Sequence, residues 1–291
     1  MLSILIPTYN ANCLPLVENI YSQVVELQIP FEILLADDAS DESFRLLNRS
    51  IEQWEGCRYL QIDNNMGPAR IRNFLADQAQ FPYLLFLDSD VMPVTNWFIA
   101  DYIAALGCNK AVCGGFVYQR ESIPTNAILR FKYGIEVEEK SALVRSEHPY
   151  HSFISMNFLI CRTAFLRVRF DESFHLGYED TLFGIQLEEA GVPVAHIDNP
   201  VYHCVEESTE QFLIKIKRAV RNLIGHEQKM HNYVKLLKWH RFVKKLGMQP
   251  VFAYFFRKSE LKIIANLTSP SPSLKLFAFY KLGYLCTLYT K

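Results

Sequence analysis

The sequence lacks the cysteine patterns of a disulfide-stapled or zinc-binding protein. Its seven cysteines are odd in number and scattered, and no two of them form a C-x-x-C pair. Disulfide frameworks and structural zinc sites are built from paired or closely spaced cysteines, so neither is expected here. This cysteine usage is typical of a reducing compartment, and we predict a cytoplasmic protein.

Long apolar runs and the common phosphate-binding glycine motifs are also missing. The sequence contains no run of 18 apolar residues, which predicts no transmembrane helix. The apolar N-terminus has no basic residues and reaches Pro7 early, a pattern that favours a strand over a signal peptide. Without a G-x-G-x-x-G after the first strand or a G-x-x-x-x-G-K-[ST], the pattern argues against a dinucleotide fold and a P-loop.

Basic residues are outnumbered in the first part of the chain, and acidic residues are scarce in the last part. Residues 1–210 hold 14 Lys and Arg against 29 Asp and Glu, whereas residues 211–291 hold 16 against 2, and the net charge is −1. Half of the 291 residues are apolar, which is typical of a globular protein. We therefore divide the chain into a region over 1–208 and a basic, amphipathic, helical region over 209–291.

Buried strand patterns alternate with helical patterns in the first hundred residues. The predicted strands cover 3–7, 31–36, 58–62 and 83–87, and helical stretches of ten or so residues follow them. This alternation predicts an α/β fold with a doubly wound, mostly parallel sheet and helices on both faces. The carboxyl ends of parallel strands share one edge, where polar side chains converge on a ligand. Those side chains are Thr8, Asp37, Asp38, Asn65, Arg70, Asp88 and Asp90.

The fourth strand ends in two carboxylates, Asp88 and Asp90, separated by Ser89. Two acids so close together are costly unless a positive charge lies between them. One interpretation is a divalent metal held by oxygen ligands together with a phosphorylated substrate. The alternative is a strand that ends in a turn, with one of the aspartates capping the next helix.

The middle of the chain carries a second acidic pair. From Glu179 the apolar residues have helical spacing, which places Glu179 and Asp180 in the first turn of a helix. Carboxylates there compensate the helix dipole, and that role competes with a catalytic one. Residues 111–118 are predicted as one strand, and 119–150 as a loosely patterned, mobile segment over the active site.

Five segments occur in order at fitting distances, namely Ile6–Asn10, Ala36–Asp41, Asn65–Arg70 with Asn73, Leu87–Asp90, and Glu179-Asp180. Together they resemble the inverting family 2 glycosyltransferases of the GT-A fold, and the resemblance covers roughly residues 1–205. The Gly177-Tyr178-Glu179-Asp180 segment is similar to bacterial surface-polysaccharide and chondroitin-polymerase-type members.

The resemblance implies a nucleotide-sugar donor, most often UDP-linked, and an Mn²⁺ or Mg²⁺ ion. It implies that Asp38, with Asp37 as a near equal, contacts the base, that Asp90 binds the metal, and that Asp88 binds ribose or the metal through water. His203 falls where related enzymes have a third metal ligand, although a lone histidine after a strand is usually only hydrogen-bonded. The implied nucleotide-binding residues are Pro7, Thr8, Asp37, Asp38, Asn65, Gly67, Arg70, Asp88 and Ser89.

The implied reaction is the transfer of a hexosyl or N-acetylhexosaminyl group to a hydroxyl of a saccharide or lipid-linked acceptor. We expect Asp180 to take the proton of that hydroxyl and Glu179 to position donor or acceptor hydroxyls. Direct displacement with one base inverts the anomeric centre. A nucleotidyltransferase, which also uses paired aspartates, and a module that binds a nucleotide sugar or membrane without turnover are the alternatives.

The basic region over 209–291 has three interpretations. Its cationic amphipathic segments suit the anionic inner face of the cell membrane, as a peripheral contact. They also suit docking to the acidic part of the chain or to another subunit. A nucleic-acid surface is the third interpretation, and we do not expect a nucleic-acid partner.

Overall fold

The computed structural model describes residues 1–107, 110–121, 123–174, 177–205 and 207–290. Two sheets and a set of helices form the fold. The strands in chain order are β1 (Leu2–Thr8), β2 (Phe31–Asp38), β3 (Cys57–Ile62), β4 (Tyr83–Leu87), β5 (Val91–Pro93), β6 (Ala111–Cys113), β7 (Phe116–Val117), β8 (Asn157–Cys161), β9 (Val194–His196) and β10 (Val201–His203).

The helices alternate with the strands in the first part of the chain and follow one another after β10. A 3-10 turn over Ser50–Gln53 and a π-helical turn over Gly134–Glu138 supplement them. The helices are α1 (Leu14–Glu26), α2 (Glu42–Arg49), α3 (Pro68–Gln78), α4 (Phe98–Ala104), α5 (Ile128–Tyr133), α6 (Ala142–Ser146), α7 (Arg162–Val168), α8 (Glu179–Glu189), α9 (Thr209–Asn222), α10 (Glu227–Met230), α11 (Lys235–Lys245), α12 (Gln249–Leu267) and α13 (Leu274–Leu288).

The main sheet has the strand order β3-β2-β1-β4-β8-β6-β9. Strand β1 pairs in parallel with β2 and β4, β2 pairs in parallel with β3, and β6 pairs in parallel with β9. Strand β8 runs antiparallel to β4 and β6. The prediction of an α/β fold with a mostly parallel sheet is therefore confirmed. Strands β5, β10 and β7 form a smaller sheet, in that order.

The single strand predicted over 111–118 is wrong, because two glycines divide it. The main sheet keeps β6, and β7 pairs with β10 in the smaller sheet. Gly115 has a φ of +84°, and the guanidinium of Arg145 occupies the space that a Cβ would need. The Nη2 atom of Arg145 donates a hydrogen bond to the Gly114 carbonyl at 3.2 Å. Only a glycine fits this left-handed, crowded turn, and the strand breaks there.

The segment over 119–150, predicted as loosely patterned and mobile, contains α5, the π-helical turn and α6. These helices are five or six residues long, shorter than the window over which helical periodicity becomes visible in a sequence. Helix α6 begins after Ser141, whose Oγ accepts a hydrogen bond from the Val144 amide at 3.5 Å. The position of the segment over 119–150 above an active site stays a prediction.

An aromatic cluster holds β4 in place. The ring of Phe86 stacks on Phe158 at 4.8 Å and on Phe165 at 5.0 Å between centroids, and Phe170 stacks on Phe183 at 4.2 Å. All five rings are buried. Burial of such large apolar surfaces dominates the energetics of a core. Because Asp88 follows β4 directly, this packing fixes the backbone that carries the acidic pair.

The contacts divide the chain into two compact units. The first comprises Met1–Tyr118, Glu139–His175 and Leu182–Val205, and the second comprises Gln119–Glu138, Leu176–Thr181 and Glu206–Lys291. Both sheets belong to the first unit, and α9 to α13 belong to the second. Within the described part of the chain, every helix is too short or too polar to cross a membrane.

Candidate active site

Asp90 and His203 form the centre of a polar cluster in the first unit. Residue Asp90 precedes β5, and His203 ends β10, which pairs antiparallel with β5. The Cys204 amide donates to the Asp90 carbonyl at 2.8 Å, and the Nε2 atom of His203 lies 3.3 Å from Oδ2 of Asp90. The smaller sheet thus brings together two residues that are 113 positions apart.

Tyr118 supports the histidine from the other side of the ring. Its hydroxyl lies 3.2 Å from Nδ1 of His203, and the two ring centroids are 5.4 Å apart. A partner on the second ring nitrogen fixes the orientation and tautomer of an imidazole. Sequence analysis did not identify Tyr118, because only the pairing of β7 with β10 places it beside His203.

Asp88 is held by an arginine that sequence analysis also missed. The Nη2 atom of Arg72 donates to Oδ1 of Asp88 at 2.5 Å, and its Nη1 donates to the Pro68 carbonyl at 3.1 Å. The Arg72 side chain is 5% exposed, and its guanidinium lies 5.6 Å from the Phe170 ring centroid. This buried cation offsets the charge of Asp88 and fixes its position.

Arg70, the predicted site arginine, lies elsewhere on the same helix. Its Nε is 3.5 Å from Oε2 of Glu172, and both side chains are about half exposed. In α3 the buried face includes Ala69, Arg72 and Asn73, and Arg70 lies outside that face. Helical spacing from Ala69 would have identified Arg72, since residues three apart share a face. The structure thus brings Arg72, and not Arg70, to the acidic pair.

The loops after β1 and β2 are joined by hydrogen bonds. The Asn10 amide donates to Oγ of Ser40 at 2.8 Å, and the Asp41 amide donates to Oδ1 of Asn10 at 2.7 Å. Asp37 is fully buried, and its Oδ1 accepts from the Ser40 amide at 2.7 Å. Asp37 therefore stabilises this pair of loops.

Asp38 orders the loop before α3. Its two carboxylate oxygens accept hydrogen bonds from the amides of Met66 at 2.6 Å and Gly67 at 2.9 Å, and its carbonyl accepts from Nδ2 of Asn65 at 2.9 Å. Burial raises the pKa of Asp38, and the two amide hydrogen bonds oppose that shift. The structure brings three predicted nucleotide-binding residues, Asp38, Asn65 and Gly67, into one hydrogen-bonded group.

The remaining donor-side predictions lie at the ends of β1 and β4. Pro7 and Thr8 pair in register with Ala36 and Asp37, and Ser89 is half-buried between the two aspartates. The Cys13 thiol contacts Oγ1 of Thr8 at 3.2 Å. Burial raises the pKa of Cys13 to about 12 together with the charges of Asp37 and Asp90, and the hydrogen bond with Thr8 opposes that rise. The negative charges of both aspartates therefore reach the Cys13 thiol, which lies next to Thr8.

Glu179 and Asp180 form the first turn of α8, as the apolar spacing predicted. They belong to the second unit. The Thr181 amide donates to Oδ1 of Asp180 at 2.6 Å. Just before them, Gly177 has a φ of +80° and Tyr178 a φ of +69°. Two successive left-handed residues make a sharp entry into the helix, so the direction of the acidic pair depends on this turn.

The donor atoms at Asp90 and His203 suit a divalent metal ion. In an octahedral site with bonds of about 2.1 Å, neighbouring ligand atoms lie roughly 3 Å apart, close to the observed 3.3 Å. Within the described ranges, no three or more His, Cys, Asp or Glu side chains form a group that could hold a metal ion. Mg²⁺ usually binds through one or two carboxylates together with substrate phosphates, and the single carboxylate of Asp90 meets that minimum. The alternative in which Asp88 or Asp90 caps the next helix is wrong, since Trp97 is the N-cap of α4.

The family described as "Glycosyl transferase family 2" matches residues 3–172, more than half of the chain. The chain therefore belongs to glycosyl transferase family 2. The predicted resemblance is confirmed, and the nucleotidyltransferase alternative is set aside.

Three curated relatives illustrate the similarity. An uncharacterized glycosyltransferase of Haemophilus influenzae is 36% identical over 91 residues, which are 31% of this chain and 36% of the relative. The chondroitin synthase of Escherichia coli is 26% identical over 69% of this chain and 34% of its own length. The teichoic acid poly(glycerol phosphate) polymerase of Staphylococcus epidermidis is 24% identical over 64% of this chain and 25% of its own length. The chain thus spans about a quarter to a third of these relatives.

Two solved structures share the fold. A mannosyltransferase from Pyrobaculum calidifontis, described in complex with GDP-Man and Mn²⁺, has a TM-score of 0.57 at 16% identity, covering 99% of this chain and 81% of its own. The S. aureus protein TarS has a TM-score of 0.51 at 16% identity, covering 77% of this chain and 40% of its own. At this identity the likeness establishes the fold alone.

Proposed function

We propose that this protein transfers a hexosyl or N-acetylhexosaminyl group from a nucleotide-sugar donor to a hydroxyl of a saccharide or lipid-linked saccharide. The contact between Asp90, just before β5, and His203, at the end of β10, carries the proposal. These two side chains would be ligands for a divalent ion, close to the polar residues that follow the strands of the main sheet. Membership of glycosyl transferase family 2 supports it. The name of the chondroitin synthase relative supports a saccharide acceptor.

In this proposal the region over 1–208 binds the donor, and the basic helical region over 209–291 comes after it in the chain. We propose that Asp38, Asn65 and Gly67 contact the nucleoside, with the nearby loops at Thr8 and Asp37 completing the pocket. UDP is our first choice of nucleotide, because the sequence around Asp180 resembles chondroitin-polymerase-type enzymes. Pro7, Arg70 and Ser89 are proposed as further lining residues, and Arg70 is the weakest of these because it pairs with Glu172.

Asp90 and His203 would hold Mn²⁺ or Mg²⁺, with Asp88 acting on ribose or through water from its ion pair with Arg72. The neighbour bound to GDP-Man and Mn²⁺ supports a metal of this kind. When bound, such an ion offsets the negative charge that develops on the departing diphosphate.

The chemical step places one proton on the protein. Asp180 takes the proton of the acceptor hydroxyl while that oxygen attacks the anomeric carbon, and the bond to the diphosphate breaks on the opposite face. A positioned general base contributes about 10²–10⁴-fold to such a rate. Glu179 would orient the sugar hydroxyls. Because the displacement is single, the anomeric configuration inverts.

A binding panel with two variants tests this proposal. UDP-, GDP- and dTDP-sugars are added with and without Mn²⁺, and the melting temperature is recorded, since ligand binding to the native state raises it. We expect one donor to give an Mn²⁺-dependent shift that Asp90→Ala abolishes. Asp180→Asn should keep that shift and lose transfer to an acceptor by about 10²-fold or more. Normal turnover by Asp180→Asn would disprove the assignment of the base, and a donor shift without product would favour a non-catalytic module.

We further propose that the second unit contacts an anionic membrane surface. Trp239 on α11 is 61% exposed, and Phe242, 6.2 Å away between ring centroids, is 53% exposed. These rings lie within residues 211–291, which hold 16 basic and 2 acidic residues. Apolar rings within a cationic surface are typical of interfacial helices.

Vesicle sedimentation tests the membrane proposal. Wild type should bind vesicles of phosphatidylglycerol and phosphatidylcholine, and Trp239→Ala/Phe242→Ala should reduce that binding severalfold. Leu143→Ala is the control, since Leu143 is an apolar residue of the first unit that is even more exposed, at 78%. Equal binding by all three proteins, or no binding by wild type, would leave docking to another protein surface as the interpretation of the basic region.

A further inference from the structure

A cavity in the second unit is formed by charged and aromatic side chains that the proposed transfer reaction does not use. Its volume is about 430 Å³, and it lies between α10, α11 and the residue that follows α13. This volume is within the range of small-ligand pockets, roughly 300–1,000 Å³. Its lining includes Glu227, His231, His240, Arg241, Lys244 and Tyr289.

His240 is a buried polar group at this cavity. The residue is 6% exposed, and its ring lies 4.9 Å from that of Tyr289 between centroids. Its Nε2 atom is buried and has no hydrogen-bond partner within the described part of the chain. Burial, and next the charge of Lys244, lower the pKa of His240, so the ring is neutral near pH 7. Buried polar atoms in native proteins nearly always have a partner, so the hydrogen-bonding capacity of this ring is unused at the edge of the cavity. Because Nε2 is closed to solvent, a ligand in the cavity would bond it only after a small rotation of the ring.

Two permanent cations border the same cavity. Arg241 and Lys244 are exposed, and neither forms an ion pair with any carboxylate in the described ranges. Their charges outnumber that of Glu227, whose Oε2 accepts a hydrogen bond from the Gly225 amide at 3.1 Å. The planar donors of arginine and the ammonium of lysine are the groups with which proteins bind phosphate.

Helix α11 directs these groups to one side. Lys244 follows His240 by four residues and Arg241 by three, and side chains at both spacings are neighbours on a helix surface. Lys238 and Lys245 are equally exposed on the same helix but do not line the cavity. The positive charge at the cavity is therefore a local arrangement and not only the result of a basic helix.

We propose that this cavity binds a phosphate group, held by Arg241 and Lys244 and hydrogen-bonded by the His240 ring. The phosphate could be free in solution or part of a lipid head group, since both present the same oxygens. The site goes beyond the proposed sugar transfer, because all of its residues belong to the second unit. None of them is among the residues proposed to bind the nucleotide, the metal or the acceptor.

Calorimetric titration of the full chain with inorganic phosphate tests the proposal, in EDTA and at constant ionic strength set with chloride. We expect saturable binding that Arg241→Gln/Lys244→Gln weakens about tenfold or more, since charge-assisted hydrogen bonds are lost. The matched control Lys238→Gln/Lys245→Gln should bind within about twofold of wild type. No saturable binding by wild type, or an equal loss in both double variants, would overturn the proposal.

Two further variants separate this site from folding defects and from the donor site. His240→Phe fills the same space without the unpartnered nitrogen, so we expect it to keep or raise the melting temperature while it weakens phosphate binding. Asp90→Ala should bind phosphate as wild type does, even if the proposed transferase activity is absent. Phosphate binding that Asp90→Ala abolishes would place the ion in the donor site and overturn the proposal.

Vesicles identify the source of the phosphate. Phosphatidylcholine vesicles with and without phosphatidic acid are sedimented with the protein. Retention that depends on phosphatidic acid, that inorganic phosphate competes away and that Arg241→Gln/Lys244→Gln loses would assign a lipid head group. Saturable phosphate binding without such retention would assign a soluble phosphate.

Discussion

The Nε2 atom of His203 lies 3.3 Å from Oδ2 of Asp90, although 113 residues separate the two in sequence. The backbone also keeps the two residues together, since the Cys204 amide donates a hydrogen bond to the Asp90 carbonyl beside the β5–β10 pair. A carboxylate and an imidazole at this distance can bind one metal ion together.

The first prediction follows from the support that Tyr118 gives to this pair. Tyr118→Phe removes the hydroxyl that lies 3.2 Å from Nδ1 of His203 and leaves the ring in place. Loss of a partner on the second nitrogen of a metal-binding histidine typically costs 10–100-fold in metal affinity. We expect an Mn²⁺ dissociation constant about tenfold higher, measured by titration in the presence of UDP.

Controls for Tyr118→Phe distinguish orientation from binding. His203→Ala should weaken Mn²⁺ binding more than Tyr118→Phe does, and donor binding without metal should be equal in both. Unchanged Mn²⁺ affinity in Tyr118→Phe would show that the hydroxyl does not orient the ring.

The second prediction compares two arginines two positions apart on α3. Arg72→Gln leaves the partly buried Asp88 without the guanidinium that holds it, so we expect it to lower the free energy of unfolding by about 1.5–3 kcal/mol. Arg70→Gln should cost about 0–1 kcal/mol, since the Arg70 pair with Glu172 is exposed to solvent. Urea unfolding of the two variants measures this difference. Equal costs would mean that the buried ion pair of Arg72 adds no more stability than the exposed pair of Arg70.

The third prediction concerns the turn before the acidic pair on α8. Gly177 has a φ of +80°, and a Cβ there would lie 2.6 Å from the Cβ of Ala219. Gly191→Ala is the matched control, because its φ is +64° and nothing lies within 4 Å of a new Cβ. The control should cost about 1–2 kcal/mol for backbone strain alone. Gly177→Ala should cost clearly more in thermal unfolding and should also lower kcat, because the turn directs Asp180.

A Gly177→Ala protein with the stability of Gly191→Ala would show that the loop moves away from Ala219 without strain. A normal kcat would show that the direction of Asp180 does not depend on this turn.

The fourth prediction uses a buried lysine in the second unit. The Nζ atom of Lys281 lies 4.4 Å from the Tyr133 ring centroid and 4.5 Å from that of Phe277, and donates to the Tyr133 hydroxyl at 3.2 Å. Burial lowers the pKa of Lys281 to about 8, and the charge of Glu138 opposes that shift. The ordinary value is 10.5, so between these values the unfolded chain binds more protons than the native one.

Stability should therefore rise with pH over that window. Below about pH 8 the lysine is charged in both states and its burial cost is constant, whereas above it the native lysine becomes neutral and the cost falls. The free energy of unfolding of wild type relative to Lys281→Met should increase from pH 8 to pH 10.5 in parallel urea series. A difference independent of pH would mean that Lys281 keeps an ordinary pKa.

Much of the donor side could be predicted from local sequence. Each strand pattern ends at the polar residues that the structure places at the strand ends, and helix α8 begins at Glu179 as its apolar spacing indicates. The strand over 111–118 was wrongly continued through Gly114 and Gly115, because a local pattern does not show that its two halves join different sheets. Arg72 was missed because the choice of arginine followed the motif and not the buried face of the helix, and Arg70 stays a prediction.

The sequence by itself determined the alternation of strands and helices, the acidic residues after β4 and the uneven charge of the chain. These depend on residues close to one another, whose spacing reports which face is buried. Only the tertiary structure decided that His203 contacts Asp90, that Arg72 holds Asp88 and that His240 borders a cavity with Arg241. Such contacts depend on which strands pair and which helix faces pack together, and the free energy that selects them is distributed over the whole core.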